Sequence, residues 1–319
     1  MRVLSVSDPR RGIENQAIGL AEAICREAGH DCEHQHHTIF HGSTFAALPP
    51  QFQLIARRNY GLPDADLIIG CGRQAIAPLL ATRQANPRPY TVYIQDPRIE
   101  PSRFDLVVMP THDGEDGAFV ETMIGSPNRV TRERIIAETL HHAERLSALS
   151  FPRAMIAIGG PSKRHDLTEE DVIQHLQAAE MLRQQGYALL ITTSRRTPDP
   201  VQRQWESFAE GQSDIWLHRP DALGDNPYFA FLGGADILLA TEDSTNMLTE
   251  LCGTGKPVFR LPMSGNAGKF ETLYADLKAR CHVVRWDGNP DRPSYAPLDE
   301  TSRVAQAVIA RFRSGRMMN

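Results

Sequence analysis

Three stretches in the second half of the chain place small hydroxyls, glycines and cations where apolar runs end. One is ATEDSTNMLTELCGTGKPV, residues 240–258. A strand over 235–240 leads into it, and Asp243 or Ser244 then caps a short helix. Free N–H groups and the dipole at a helix start favour an anion. Ser244, Thr245 and Asn246 add small donors there. Asn246 and Glu250 lie four apart and share a face. That puts a carboxylate one turn in from a phosphate site, where it can accept from ribose hydroxyls. A plain capped helix starts the same way, so the other strand ends have to decide.

IGGPSKR supplies Gly159 and Gly160 directly after a strand, then Ser162, Lys163 and Arg164. Glycine lets backbone approach a ligand closely, and the cations suit a diphosphate. ITTSRRTP supplies Thr193, Ser194, Arg195 and Arg196. Two arginines beside hydroxyls fit bidentate phosphate contact. Three such ends in one half-chain point to a nucleotide-diphosphate cleft.

The first half carries different groups. SDPRRGIENQ brings Asp8, Arg10, Arg11, Glu14, Asn15 and Gln16 to the end of the first strand. IQDPR brings Gln95, Asp96 and Arg98, and MPTHD brings Thr111, His112 and Asp113. These acids and the histidine could deprotonate an acceptor hydroxyl. Salt-bridged turn residues would look the same.

Other patterns fail as motifs. GTGK at 253–256 runs into Pro257 and lacks the upstream glycine of a phosphate loop. Asp64-Ala65-Asp66 precedes a strand and reads as a turn. His30, His34, His36, His37 and His41 match no zinc spacing and read as a polar strand face. No metal and no cofactor are expected.

Short apolar runs alternate with amphipathic helical stretches, as in parallel doubly wound sheets. The rhythm begins at Val3–Val6, runs to a long helix over 131–148, and restarts after ALSFPRA at 148–154. The expectation is an α/β chain of two Rossmann-like domains facing a cleft, one over 1–150 and one over 151–300. Ligands of open α/β sheets bind outside the carboxyl ends of the strands.

The 319 residues suit two domains, and 41% hydrophobic content suffices for two cores. A net charge of −5 offers no field for nucleic acid. Five cysteines without CxxC spacing read as reduced thiols of a cytoplasmic protein. No apolar run nears the roughly 20 residues that span a bilayer, which leaves peripheral membrane contact open.

The motifs D-x-x-x-G-x-x-N-Q-x-x-G-L-A-E-A, I-Q-D-P-R, F-D-L-V-V-x-P-x-H-D, G-G-P-S-K, T-T-S-R-R-T-P, N-P-Y-x-x-x-L and E-D-S-x-N-M-x-x-E-x-x-x-T-G-K-P-V follow in order from Asp8 to Val258. Together they resemble the mitochondrial-fission "elongated mitochondria" family, in its bacterial branch. The resemblance implies a GT-B-like architecture, similar to glycosyltransferases that use nucleotide-activated sugars, and a tail helix at 301–319 packing back on the first domain. It matches Ser244, Asn246 and Glu250 to the GT-B donor-site helix. Plant members are linked to organelle fission through recruitment of a dynamin-type protein. The first loop departs from MurG-type enzymes, lacking their glycine-rich, histidine-containing loop.

These readings converge on a metal-independent glycosyltransferase with a nucleotide-diphosphate sugar as donor. Gly159, Gly160, Ser162, Lys163, Ser194, Arg195, Arg196, Asp243, Ser244, Thr245 and Asn246 form the donor site, and Glu250 reads the ribose. Asn15, Gln16, Gln95, Asp96, His112 and Asp113 line the acceptor side, with Glu14 or Asp8 as base. A cell-envelope lipid or saccharide is the expected acceptor. A non-catalytic nucleotide-sugar-binding or scaffold protein, and a nucleotide-sugar epimerase of the same fold, are the alternatives.

Overall fold

The computed structural model describes residues 1–40, 48–49, 52–53, 60–83, 88–114 and 116–317. His41 lies outside them. The chain divides into two compact units, Met1–Arg129 with Asp299–Asn319, and Val130–Leu298.

The first unit is built from β1 (Arg2–Ser7), α1 (Arg11–Ala28), β2 (Glu33–Thr38), β3 (Leu67–Cys71), α2 (Arg73–Thr82), β4 (Tyr90–Ile94), β5 (Leu106–Pro110) and β6 (Val120–Met123). Its sheet is parallel throughout, in the order β2-β1-β3-β4-β5-β6. Strands such as LIIGC and LVVMP are buried along their whole length, because helices cover both faces of such a sheet. Ala17, Leu20, Ala21 and Ile24 turn one face of α1 into the core. The terminal helix, Glu300–Met317, adds Val304, Ala305, Val308, Ile309 and Phe312 to that same core.

Two sequence expectations meet their structural outcome here. Of the histidines read as a polar strand face, His34 and His36 share one face of the edge strand β2, with Ser5 Oγ 2.8 Å from both His34 Nε2 and His36 Nδ1; His37 takes the other face, and His30 lies in the turn before the strand. Burial holds the His34 and His36 imidazoles below their usual pKa. The cysteines, however, are not all free thiols. Cys25 near the end of α1 and Cys32 just before β2 form a disulfide, with Cα atoms 5.1 Å apart. The turn at Gly29 (φ 92°) folds the chain back and brings the two together.

The second unit opens with α3 (Arg132–His141) and α4 (Ala143–Ser147), one helix in the sequence reading but two in the structure, parted at His142. It continues through β7 (Arg153–Ile158), β8 (His165–Asp166), α5 (Glu169–Gln184), β9 (Ala188–Thr193), α6 (Asp199–Ala209), β10 (Ile215–His218) and α7 (Tyr228–Gly234). It closes with β11 (Ile237–Thr241), α8 (Thr245–Cys252), β12 (Val258–Leu261), β13 (Ser264–Gly265), α9 (Phe270–Cys281) and β14 (Val284–Arg285). Six strands form a parallel sheet, β10-β9-β7-β11-β12-β14, and β8 pairs with β13 as a short antiparallel ribbon. A full capping box, Thr168 with Asp171, starts α5.

The joint expected near residue 150 instead falls at Val130, because α3 belongs to the second unit. It packs so closely on α7 that a Cβ at Gly233 would lie 2.0 Å from Thr139 Oγ1.

Lys256, the end of the false phosphate-loop fragment, does structural work at this same C-terminal end of α7. Its ammonium donates to the carbonyls of Leu232, Gly233 and Ala235 at 2.7, 2.8 and 2.6 Å. A cation at a helix C-terminus satisfies carbonyls that the helix leaves open. Burial draws its pKa down to about 8. Lys256→Met should therefore destabilise the protein by about 2 kcal/mol, since the carbonyls lose charge-assisted donors. A urea midpoint that moves by less than about 0.5 kcal/mol would mean that water replaces the ammonium.

Candidate functional site

In the second unit the chain leaves β7 towards β9 and β10, then crosses back to β11, β12 and β14. The strand order therefore reverses between β7 and β11, and a crevice opens at the carboxyl ends of such a pair. The three polar stretches of the sequence sit at the ends of β7, β11 and β9, the next strand over.

A single carboxylate ties them together. Asp243, 6% exposed, accepts from Thr241 Oγ1 at 2.6 Å, from the Gly160 amide at 3.2 Å and from Arg196 at 2.5 Å. Thr241 Oγ1 also accepts from the Gly159 amide at 2.8 Å. Arg196 donates onward to the carbonyls of Gly160 and Pro161. Thr197 Oγ1 reaches the carbonyls of Ile158 and Gly159 and receives the Ser194 amide. All three loops are thus stapled to one another beneath their outer surface.

This geometry divides the expected donor residues. The glycines serve the staple: a Cβ at Gly159 would meet the Asp243 carboxylate at 2.2 Å, and one at Gly160 would meet the Arg196 carbonyl oxygen at 2.0 Å. The sequence reading reserved that space for ligand, and the protein fills it. The enclosed Asp243 is neutralised by Arg196, whose half-exposed guanidinium is committed to it and to the carbonyls of Gly160 and Pro161, so neither is a free diphosphate contact. Lys163 and Arg195 differ. Both are exposed, and among the described residues neither ammonium nor guanidinium has a hydrogen bond or ion pair.

Ser162 is exposed and folds its loop, with Oγ accepting the amides of Arg164 and His165. Ser194 Oγ accepts the Arg196 amide at 3.2 Å. Ser244 is the N-cap of α8, accepting the Met247 amide at 3.3 Å. Thr245 and Asn246 follow as its first two residues. Glu250, one turn further, is half-buried. Tyr228 Oη donates to its Oε2 at 2.7 Å, and burial pushes its carboxyl up to about 7.

Sequence reasoning missed Thr197, Thr241, Tyr228 and a buried cluster around Glu242. Glu242, 1% exposed, is held by Arg260 at 2.5 Å and Arg285 at 2.8 Å. Tyr274 Oη donates to its carbonyl at 2.8 Å, and the Arg260 guanidinium lies 4.1 Å from the centre of the Tyr274 ring. Thr197 and Tyr228 stood inside the quoted TTSRRTP and NPY stretches. The signal was a side chain that can bond back to a neighbouring strand end.

In the first unit the strand order reverses between β1 and β3. Asp8 is buried there and bound twice by Arg10, at 2.9 and 2.6 Å. Glu14, half-buried, pairs with Arg11 at 3.2 Å and lies 3.5 Å from His36 Nε2. Asn15 and Gln16 lie beside it on α1, and Gln16 Oε1 accepts from Gln95 Nε2 at 3.0 Å. Asp96 pairs with Arg98 at 2.6 Å, while His112 and Asp113 form a single turn after β5. The expected acceptor residues therefore share the strand-end side of one sheet, but Asp8 and Asp96 are engaged by arginine. Among the described residues no cluster of three or more histidine, cysteine or acidic side chains could hold a metal ion.

The family model described as mitochondrial fission ELM1 matches residues 11–312. The chain belongs to the mitochondrial fission ELM1 family. The ELM1 protein of Arabidopsis thaliana is 26% identical over 80% of this chain, which spans 65% of that relative's length. An uncharacterized protein of Rickettsia prowazekii is 24% identical over 97% of this chain and 98% of its own. The fold of this ELM1-family chain resembles that of the UDP-GlcNAc 2-epimerase of Methanocaldococcus jannaschii, solved with UDP-GlcNAc and UDP. That match has a TM-score of 0.54 at 11% identity and covers 97% of this chain and all of the other. This chain thus has two Rossmann-like units, a fold of the GT-B type. Among the described residues no helix is long and apolar enough to cross a membrane.

Proposed function

We propose that the second unit binds the diphosphate of a nucleotide sugar, and that the chain transfers the sugar without a metal. The observation that carries this is the staple of Asp243. It fixes three strand-end loops at the reversal point, two of which carry the exposed Lys163 and Arg195 without an ion pair among the described residues. The α8 amides and these cations would stabilise a departing nucleoside diphosphate, the charge that develops as the glycosidic bond breaks. Glu250 would accept from the ribose. Both expected bases carry an arginine, but Asp8 is buried and bound twice by Arg10 at 2.9 and 2.6 Å, whereas Arg11 makes a single exposed contact of 3.2 Å with Glu14, so the reading keeps Glu14 as the group that takes the acceptor's proton. The acceptor is a cell-envelope lipid or saccharide, met at the membrane surface from the cytoplasm.

The fold neighbour's ligands, UDP-GlcNAc and UDP, support the donor class. Its activity keeps an epimerase as the second reading. The fission name of the Arabidopsis relative keeps a non-catalytic scaffold, with a dynamin-type partner, as the third.

Calorimetric titration with UDP, GDP and their sugars in the presence of a chelator tests the proposal. One of them should bind, and at a hundred times its dissociation constant it should stabilise the fold by about 2.7 kcal/mol. Affinity that appears only when magnesium or manganese is restored would overturn the metal-free site. Incubation of the bound sugar nucleotide with lipid extract separates the three readings: transfer yields free nucleoside diphosphate and a lipid-linked sugar, epimerisation yields an isomeric sugar nucleotide, and a scaffold yields neither.

A further inference from the structure

We infer that Tyr228 is a positioning residue for Glu250: its hydroxyl fixes one carboxylate oxygen and leaves the other to accept from a ribose. The inference rests on the reading of the second unit as a nucleotide site.

Glu250 differs from the three fully buried carboxylates of this unit, Asp171, Glu242 and Asp243. Asp171 has both oxygens bonded, by Thr168 and Ser264. Both oxygens of Asp243 and both of Glu242 are bonded as well. Glu250 has one bond, from Tyr228 Oη to Oε2 at 2.7 Å, and among the described residues no hydrogen bond or ion pair reaches Oε1. Buried polar groups take at least one partner, and these three acids have theirs filled on both sides by the protein. A carboxylate that is held on one side only, a turn inside a candidate anion site, is an acceptor in waiting.

Tyr228 is itself held firmly. It opens α7, its amide donates to Asn226 Oδ1 at 3.0 Å, and its ring meets the Phe229 ring edge-on at 5.7 Å. Arg134 of α3 covers the other aromatic, with its guanidinium 4.2 Å from the Phe229 centroid. Burial keeps the Tyr228 phenol protonated, and so always a donor. Two groups act on the Glu250 charge against its burial, the Tyr228 hydroxyl from α7 and the Arg134 cation from α3. The other elements packed on α8, which are β11, β12 and α9, present no charged or titratable group that acts on it. The hydroxyl therefore does two things: it sets the carboxylate's direction and it favours the ionised form, the stronger acceptor.

Titrating wild type, Tyr228→Phe, Glu250→Gln and the double variant with uridine diphosphate and with pyrophosphate tests this. Tyr228→Phe should weaken uridine diphosphate roughly tenfold at pH 7 and leave pyrophosphate unchanged, which also shows that the site is folded. The deficit should shrink at pH 8.5, where Glu250 ionises without help. In the Glu250→Gln background the same change should add nothing, because the two act through one bond. An unchanged affinity in Tyr228→Phe would overturn the inference, as would a parallel loss of pyrophosphate or an equal loss in both backgrounds. A wild type that binds neither uridine diphosphate nor pyrophosphate would overturn the nucleotide site itself, and this inference with it.

Discussion

Glu242→Ala should destabilise the protein by about 3–5 kcal/mol, the range for breaking a buried ion pair from one side. The carboxylate is almost wholly enclosed and bonded by two arginines, Arg260 at 2.5 Å and Arg285 at 2.8 Å. The arginines are unequal. The side chain of Arg285 is 58% exposed and can turn to water, whereas that of Arg260 is 13% exposed and lies against Tyr274. Removing Glu242 therefore strands one cation, not two, and the cost comes from Arg260. A second change identifies that origin. Glu242→Ala with Arg260→Met replaces the pair by apolar groups, and such swaps are often close to neutral. The double variant should regain at least half of the lost stability in urea denaturation. Equal instability of the single and double variants would place the cost in lost packing of the Glu242 stem.

Much of this fold could be read from the chain. Fully buried parallel strands must be apolar along their length, so RAMIAI and ILLAT announced β7 and β11 without any partner in view. Helix starts were legible because caps are local: Thr168 and Ser244 bond to amides three residues on. What escaped depends on which strand lies beside which. Asp243 is a natural phosphate-site residue when read along its own loop. Only the adjacency of β7 and β11 shows that its carboxylate bonds the Gly160 amide, 83 residues away in sequence. The same holds for Arg196, two of whose three side-chain bonds go to Gly160 and Pro161. The unit boundary was misplaced for a related reason. The proline of ALSFPRA looks like a linker, yet α3 ahead of it is committed to α7, a contact with no local signature. The Cys25–Cys32 bond was missed because an odd count without CxxC spacing argues for thiols, while the turn at Gly29 brings just that pair together.

The carboxyl of Glu250 should leave a mark on stability that Glu250→Gln erases. In the folded protein its pKa is raised by burial to about 7, from an ordinary value of 4.5. Between those values the folded state binds more protons than the unfolded chain. Stability from this group is thus complete below about pH 4.5 and is lost as pH rises through about 7. The full span is worth up to about 3 kcal/mol, less whatever solvent screens at a half-buried site. Buried histidines oppose it. His175, whose Nε2 lies 2.6 Å from the Pro262 carbonyl, is held below its ordinary pKa by burial, so its contribution grows as pH rises towards 6.5. His34 and His36 in the first unit act in the same direction. The raw pH profile of the wild type therefore mixes both signs, and the difference between wild type and Glu250→Gln isolates one. That difference should be small at pH 4.5 and should favour the variant by about 1–3 kcal/mol at pH 8, since a neutral amide never bears the buried charge. Loss of the bond from Tyr228 shifts the whole curve without changing its slope. Nucleotide affinity should move the opposite way, because the ionised carboxylate is the better acceptor for ribose hydroxyls. A variant that is more stable at pH 8 and binds uridine diphosphate about tenfold more weakly there would show a carboxylate kept at the expense of stability for the sake of a ligand. Urea denaturation from pH 4.5 to 8, with titrations at both ends, measures the two trends. A difference curve flat in pH would mean that Glu250 ionises as an ordinary surface carboxylate does, and the half-buried, singly bonded acceptor would lose its energetic basis.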